Sequence, residues 1–168
     1  MGMFMASVAF RPGKNWEAVK PEIEKLHQDV SGLVTNLDQA CTGYAIVSPY
    51  GDQAAFLDGL ALPISRITGD YAVMAICNDS DFNIMELYHN GIRIERSCIG
   101  ECYEEFYELE PLGAPDPENW KPLLLDPNQE DALQEALFEE EVFAEDNLRM
   151  LSAVTGLPIF DDALVFGE

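Results

Sequence analysis

Few side chains in this sequence have the types and spacing that chemistry needs. Nucleophilic catalysis requires a serine, cysteine or threonine with a base beside it, most often histidine. The chain holds 2 histidines, His27 and His89. His27 falls within a helical stripe, and His89 directly precedes an Asn90-Gly91 turn, so neither is set against a nucleophile. No Gly-x-Ser-x-Gly elbow, phosphate-cradling glycine loop or dinucleotide fingerprint occurs. The 4 cysteines are Cys41, Cys77, Cys98 and Cys102. Cys98 and Cys102 stand four apart, with Cys77 and His89 on neighbouring strands. Structural zinc asks for a second close-set pair, which is missing. Asn78-Asp79-Ser80-Asp81 repeats the start of a calcium loop, but Ile84 stands where that loop needs glycine. A turn held by Asx side chains explains it better. No metal site and no cofactor is therefore expected. Acid–base chemistry by paired carboxylates has 31 acidic residues to draw on, and that abundance singles out no pair. The balance leans away from an enzyme. A small enzyme or metal-binding protein using the Cys98/Cys102 region stands as the alternative.

What remains is charge. The chain has 9 basic and 31 acidic residues, a formal net of -22. Such a balance repels nucleic acid and anionic membrane surfaces and draws basic partners from a distance. Direct nucleic-acid binding is excluded by it, whereas mimicry of nucleic acid is allowed. The charge is unevenly placed: residues 1–100 carry 12 acidic and 7 basic side chains, residues 101–168 carry 19 and 2. From Glu101 to Asp146 sixteen acidic residues face one base, Lys121. Glu101, Glu104, Glu105 and Glu108 fall at helical spacings among Tyr103, Phe106 and Tyr107. Further on, Glu139, Glu140, Glu141, Glu145 and Asp146 bracket Phe143. Like charges one helical turn apart repel, and no interspersed lysine or arginine relieves them. Uncompensated carboxylates interleaved with aromatic side chains suit one half of an electrostatically steered complex. These thirteen residues are the expected partner-binding set, the carboxylates for steering and the aromatics as apolar anchors.

The elements that must position them read as follows. Phe4–Phe10 is a strand. Trp16 to Leu33 carries an apolar stripe at spacings of three and four, with Pro21 confining the helix proper to about Lys20–Val30. Tyr44–Val47 is a short strand. Ser48-Pro49 opens a helix running to about Leu60. Ile64–Thr68, Tyr71–Cys77, Phe82–His89 and Ile92–Cys98 are consecutive strands, the last two joined by the Asn90-Gly91 hairpin. Five prolines make Leu109–Pro127 an ordered surface loop. A helix follows Asn128, with Leu133, Ala136 and Leu137 on one face. Another runs from Asn147 to Thr155, capped by Asp146 and stopped by Gly156. The tail Ile159–Phe166 packs back.

The fold class is therefore α+β: an antiparallel meander of about 4–6 strands, helices packed on one face, and a helical acidic C-terminal half. A single domain spans 1–168, with 1–100 as the core and 101–168 packed on it. No run is apolar enough to cross a membrane, and Met1-Gly2-Met3-Phe4-Met5 makes no export leader. Free buried thiols in a reducing cytoplasm are expected.

The stretch Asp79-Ser80-Asp81 followed by Glu86-Leu87-Tyr88-His89-Asn90-Gly91 resembles a strand–hairpin signature of uncharacterised acidic bacterial proteins of the toxin-immunity type. That resemblance covers about a fifth of the chain and implies fold more than activity. With the charge, it gives the functional expectation: an immunity or inhibitor protein that neutralises a basic partner such as a bacterial toxin.

Overall fold

The computed structural model describes residues 5–27, 33–37, 43–47, 54–78, 80–100, 113–139 and 143–162. Its organising element is an all-antiparallel six-stranded sheet. In chain order the strands are β1 (Met5–Phe10), β2 (Leu33–Asn36), β3 (Gly43–Val47), β4 (Tyr71–Asn78), β5 (Phe82–His89) and β6 (Ile92–Gly100). Across the sheet the order is β2-β3-β1-β4-β5-β6. The expected meander β4-β5-β6 forms one half, and β1 joins it to a β3-β2 pair. Asn90 and Gly91 take φ of 50° and 81°, the positive values of a type I′ turn, and this fixes the register His89↔Ile92.

β4 explains why helices cover both faces and not one. Its residues Ala72, Val73, Met74 and Ala75 are all buried, and successive side chains on a strand point to opposite sides. On one side Ala6, Val8, Phe10, Ala72, Met74 and Tyr88 pack against Ile23 of α1 (Trp16–His27) and Leu60, Ala61 and Ile64 of α2 (Ala54–Thr68). On the other, Met5, Ala9, Val73, Ala75, Cys77, Met85 and Leu87 pack against the C-terminal half. That half supplies a short α3 (Pro117–Trp120), α4 (Glu130–Phe138) and α5 (Ala144–Thr155). Its apolar stripes, Leu133/Ala136/Leu137 and Leu148/Leu151/Val154, need a surface to bury them, and the second face of the sheet provides it. The α+β class holds. Among the described residues no helix is long and apolar enough to cross a membrane.

Several local expectations change. Ile64–Thr68 continues α2 and is not a strand: Ile64 and Ser65 lie one turn beyond Leu60 and Ala61 on the same buried face. The Ser65 and Thr68 hydroxyls donate to the carbonyls of Leu62 and Ile64 at 2.8 Å each, a satisfaction open to hydroxyl side chains inside a helix. α1 starts at Trp16 and tolerates the exposed Pro21; Leu33, placed in its stripe from sequence, opens β2. The described part of the proline-rich stretch is not a surface loop throughout. Asp116 caps α3 by accepting from the Glu118 N–H at 3.0 Å, a 3-10 turn follows at Lys121–Leu123, and Trp120 and Leu123 are fully buried.

Glu95 of β6 fastens that segment. One carboxylate oxygen accepts from Asp116 N–H (2.6 Å) and Asn119 Nδ2 (3.2 Å), the other from Trp120 Nε1 (2.8 Å) and Ser97 Oγ (2.9 Å). The described part of the tail folds back: Ile159 and Phe160 are buried, and Ser7 Oγ donates to the Ile159 carbonyl at 2.7 Å, while residues 163–166 of the expected segment lie outside the described residues.

Candidate functional site

The α4–α5 corner carries the one described surface that joins exposed aromatics to uncompensated carboxylates. Leu133, Ala136 and Leu137 turn inward, which leaves Glu130, Asp131, Gln134, Glu135, Phe138 and Glu139 on the outer side of α4. Phe138 is 47% exposed, and Phe143, at the start of α5, is 53% exposed. These two solvent-facing phenylalanines stand at the two ends of one connection.

The corner is held from beneath. Asn147, buried on α5, donates its side-chain amide to the carbonyls of Ala136 (2.9 Å) and Glu139 (2.8 Å), closing the last turn of α4. The first turn of α5 is fixed by the β4–β5 turn. Ala144 N–H donates to the Ser80 carbonyl at 2.9 Å, and Asn83 Nδ2 donates to the Ala144 carbonyl at 2.7 Å. Glu145 accepts from Ser80 Oγ at 3.1 Å and from Cys77 Sγ at 3.8 Å. These contacts replace the Asp146 cap expected from sequence and start the helix at Ala144, with Phe143 as its N-cap residue. Burial, and next the Glu145 carboxylate, push the Cys77 thiol up to about 12. A thiol held protonated in this way serves as a hydrogen-bond donor to Glu145.

Counter-charge is scarce at the corner. Lys121 is engaged by Glu118 at 2.6 Å and Glu130 at 3.7 Å, and the Glu118 hydrogen bond raises its pKa above the ordinary value. Arg149 is held by Asp146 at 2.6 Å and Asp162 at 2.8 Å, with its guanidinium 4.5 Å from the Phe160 ring centroid. Hydrogen bonding to Asp162 leads the causes that raise its pKa. Both bases of the acidic half are thereby committed. Asp131, Glu135 and Glu139, successive at four-residue intervals, have no cation within ion-pair distance among the described residues. Each such like-charged pair costs an isolated helix about 0.2–0.5 kcal/mol.

Of the residues singled out from sequence, Glu101, Tyr103, Glu104, Glu105, Phe106, Tyr107, Glu108, Glu140 and Glu141 lie outside the described residues. Glu139 and Phe143 are exposed at the corner, and Asp146 is half-buried in its pair with Arg149. Glu145 is 9% exposed and faces the sheet, so it anchors the corner and is not part of its surface. Asp131, Glu135 and Phe138 are not among the expected residues, and the helical phase that places them opposite the Leu133/Ala136/Leu137 stripe is the signal that finds them.

The alternative centred on cysteine loses ground. Cys98 is disulfide-bonded, contrary to the expectation of free thiols, while Cys77 is not; Cys41 and Cys102 lie outside the described residues. Among the described residues no cluster of three or more His, Cys, Asp or Glu side chains is placed to hold a metal ion. His89 stacks on Tyr71 with ring centroids 4.2 Å apart, and Arg11 lies over the same Tyr71 ring at 5.8 Å. Comparison with protein-family models, with curated proteins and with solved structures finds no match to this chain.

Proposed function

We propose that this chain is a protein-binding module of the inhibitor or immunity type, which neutralises a basic partner such as a bacterial toxin. The observation that carries the proposal is the pair Phe138 and Phe143, exposed beside the uncompensated row Asp131, Glu135 and Glu139. Charge at a rim accelerates encounter and selects partners by sign, whereas buried aromatic anchors supply most of the binding energy. A surface with both has the two parts such a complex needs. The rigid support beneath it lowers the ordering cost of association.

A pull-down from lysate at low salt, followed by a graded salt wash, tests this. One basic protein is expected to be retained stoichiometrically by the wild-type chain. It should be lost from a Phe138→Ala/Phe143→Ala variant that keeps the wild-type circular dichroism spectrum. Recovery of many basic proteins that all leave together at modest salt would show that the charge serves solvation alone.

A further inference from the structure

We infer that Asn90 is a site of spontaneous deamidation, and that the fold restrains the reaction by holding the Gly91 amide on Ser65. Asn90-Gly91 is the only Asn-Gly pair in the chain. The hairpin requires it: both residues have positive φ, and a Cβ at position 91 would crowd Arg66, whose own Cβ would lie 3.2 Å away. The same pair is the most open to intramolecular attack, because glycine puts no side chain in the way of its own nitrogen. In that reaction the Gly91 nitrogen loses its proton and bonds to Cγ of Asn90. The Cγ–Nδ2 bond breaks and ammonia leaves, giving a cyclic imide. Water then opens the ring at either carbonyl, to aspartate or to isoaspartate. Asn90 is exposed, so the water that completes the reaction reaches it.

Two neighbours hold the nucleophile away from that course. Gly91 N–H donates to Ser65 Oγ at 2.9 Å, and Asn90 N–H donates to the Asp70 carbonyl at 3.2 Å. Both central amides of the turn are thereby taken up by α2 and the connection that follows it. Ser65 is fully buried and donates its own proton to the Leu62 carbonyl at 2.8 Å, so its oxygen meets Gly91 as an acceptor. A neutral hydroxyl is no base for an amide proton. Here it shields that proton from hydroxide and fixes the nitrogen in the turn, so attack on Cγ waits until the turn leaves Ser65. The isoaspartyl product carries an extra backbone methylene. A two-residue turn in the His89↔Ile92 register does not accommodate it. Ser65 thus guards the register of β5 against β6.

Mass spectrometry of peptides cut from the full chain after ageing at mildly alkaline pH tests this, by following aspartate and isoaspartate at position 90. The folded wild-type chain is expected to deamidate there more slowly than the same chain unfolded in urea. Ser65→Ala, shown to be folded by circular dichroism, is expected to react about five-fold or more faster than wild type, the factor that one lost hydrogen bond is worth. If that variant does not fold, deuterium exchange at the Gly91 amide of the wild-type chain decides. The amide should be protected, because exchange and deamidation need the same release from Ser65. Equal rates in folded and unfolded wild type, an unprotected Gly91 amide, or a folded Ser65→Ala variant no faster than wild type would each overturn the restraint. An Asn90 that stays intact even in urea would overturn the site itself.

Discussion

At the scale of single residues, the described buried side chains of Ser7, Asn83, Glu145 and Asn147 hydrogen-bond one element to another. Cys77, which donates to Glu145, lends such a contact to measurement. Its folded pKa of about 12 lies above the 9.0 of an unperturbed thiol, because burial and then the Glu145 carboxylate disfavour the thiolate. A raised pKa means that the folded state holds the proton more tightly than the unfolded one. The associated stability is complete below pH 9 and is lost as pH climbs toward 12. Wild-type protein should therefore lose stability faster than Cys77→Ala across that window, by up to about 1.4 kcal/mol per pH unit. Below it, the thiol should label with a disulfide reagent only at the rate of unfolding. Rapid labelling of the native protein at pH 8 would refute the assignment. Glu95 offers a second measurement. Its two oxygens accept four hydrogen bonds, and Glu95→Gln turns an amide donor toward donors already in place. Charged hydrogen bonds and orphaned buried donors suggest a loss of about 2–3 kcal/mol, to be read from urea unfolding with Trp120 fluorescence as the local probe.

At the scale of elements, local signals survived where one rule acted alone. Asn90-Gly91 fixed a hairpin because positive φ at both positions leaves few other conformations, and Gly156 ended α5 for the same reason, with φ of 72°. Ile64–Thr68 misled because a β-branched apolar run after Pro63 reads as a strand, while its packing on the sheet continues the turns of α2. Both C-terminal helices are legible from their apolar stripes, but the sheet face that receives those stripes is not, because that depends on the strand order. Glu145 reads as a surface residue from the acidic bias around it, although it stands three residues before Leu148, on the buried stripe of α5. Phe143 and Glu139 could be read from composition alone; Phe138 and Asp131 needed the helical phase of α4. The tertiary clamp by Asn147 left no mark in the sequence at all. Asn147→Ala removes both bonds to the end of α4 and orphans the buried Ala136 carbonyl. About 2–3 kcal/mol of stability should go with it. Hydrogen exchange should quicken across residues 136–147, and partner affinity should fall even though no exposed carboxylate is touched. Unchanged exchange there would mean that packing alone holds the corner.

At the scale of the whole molecule, the question is what a net charge of -22 is for, and salt answers it because stability and binding respond in opposite directions. Self-repulsion destabilises a compact chain of one sign, so adding salt should raise the melting temperature. Screening also shortens the reach of attraction, from a Debye length of about 30 Å at 0.01 M to about 8 Å at 0.15 M. Association with a basic partner should then slow, with little change in its dissociation rate. The Asp131→Asn/Glu135→Gln/Glu139→Gln variant separates the two effects within one surface. Relief of two like-charged pairs should stabilise the fold by less than about 1 kcal/mol, a rise of about 1–3 °C in Tm for a chain of this size. If the row exists to meet a partner, the same variant should bind more slowly and lose part of its salt dependence. A more stable protein that binds less well is the signature of charge retained for function. A variant that loses stability on neutralisation would show that these carboxylates serve the fold, and the partner surface would have to be sought elsewhere.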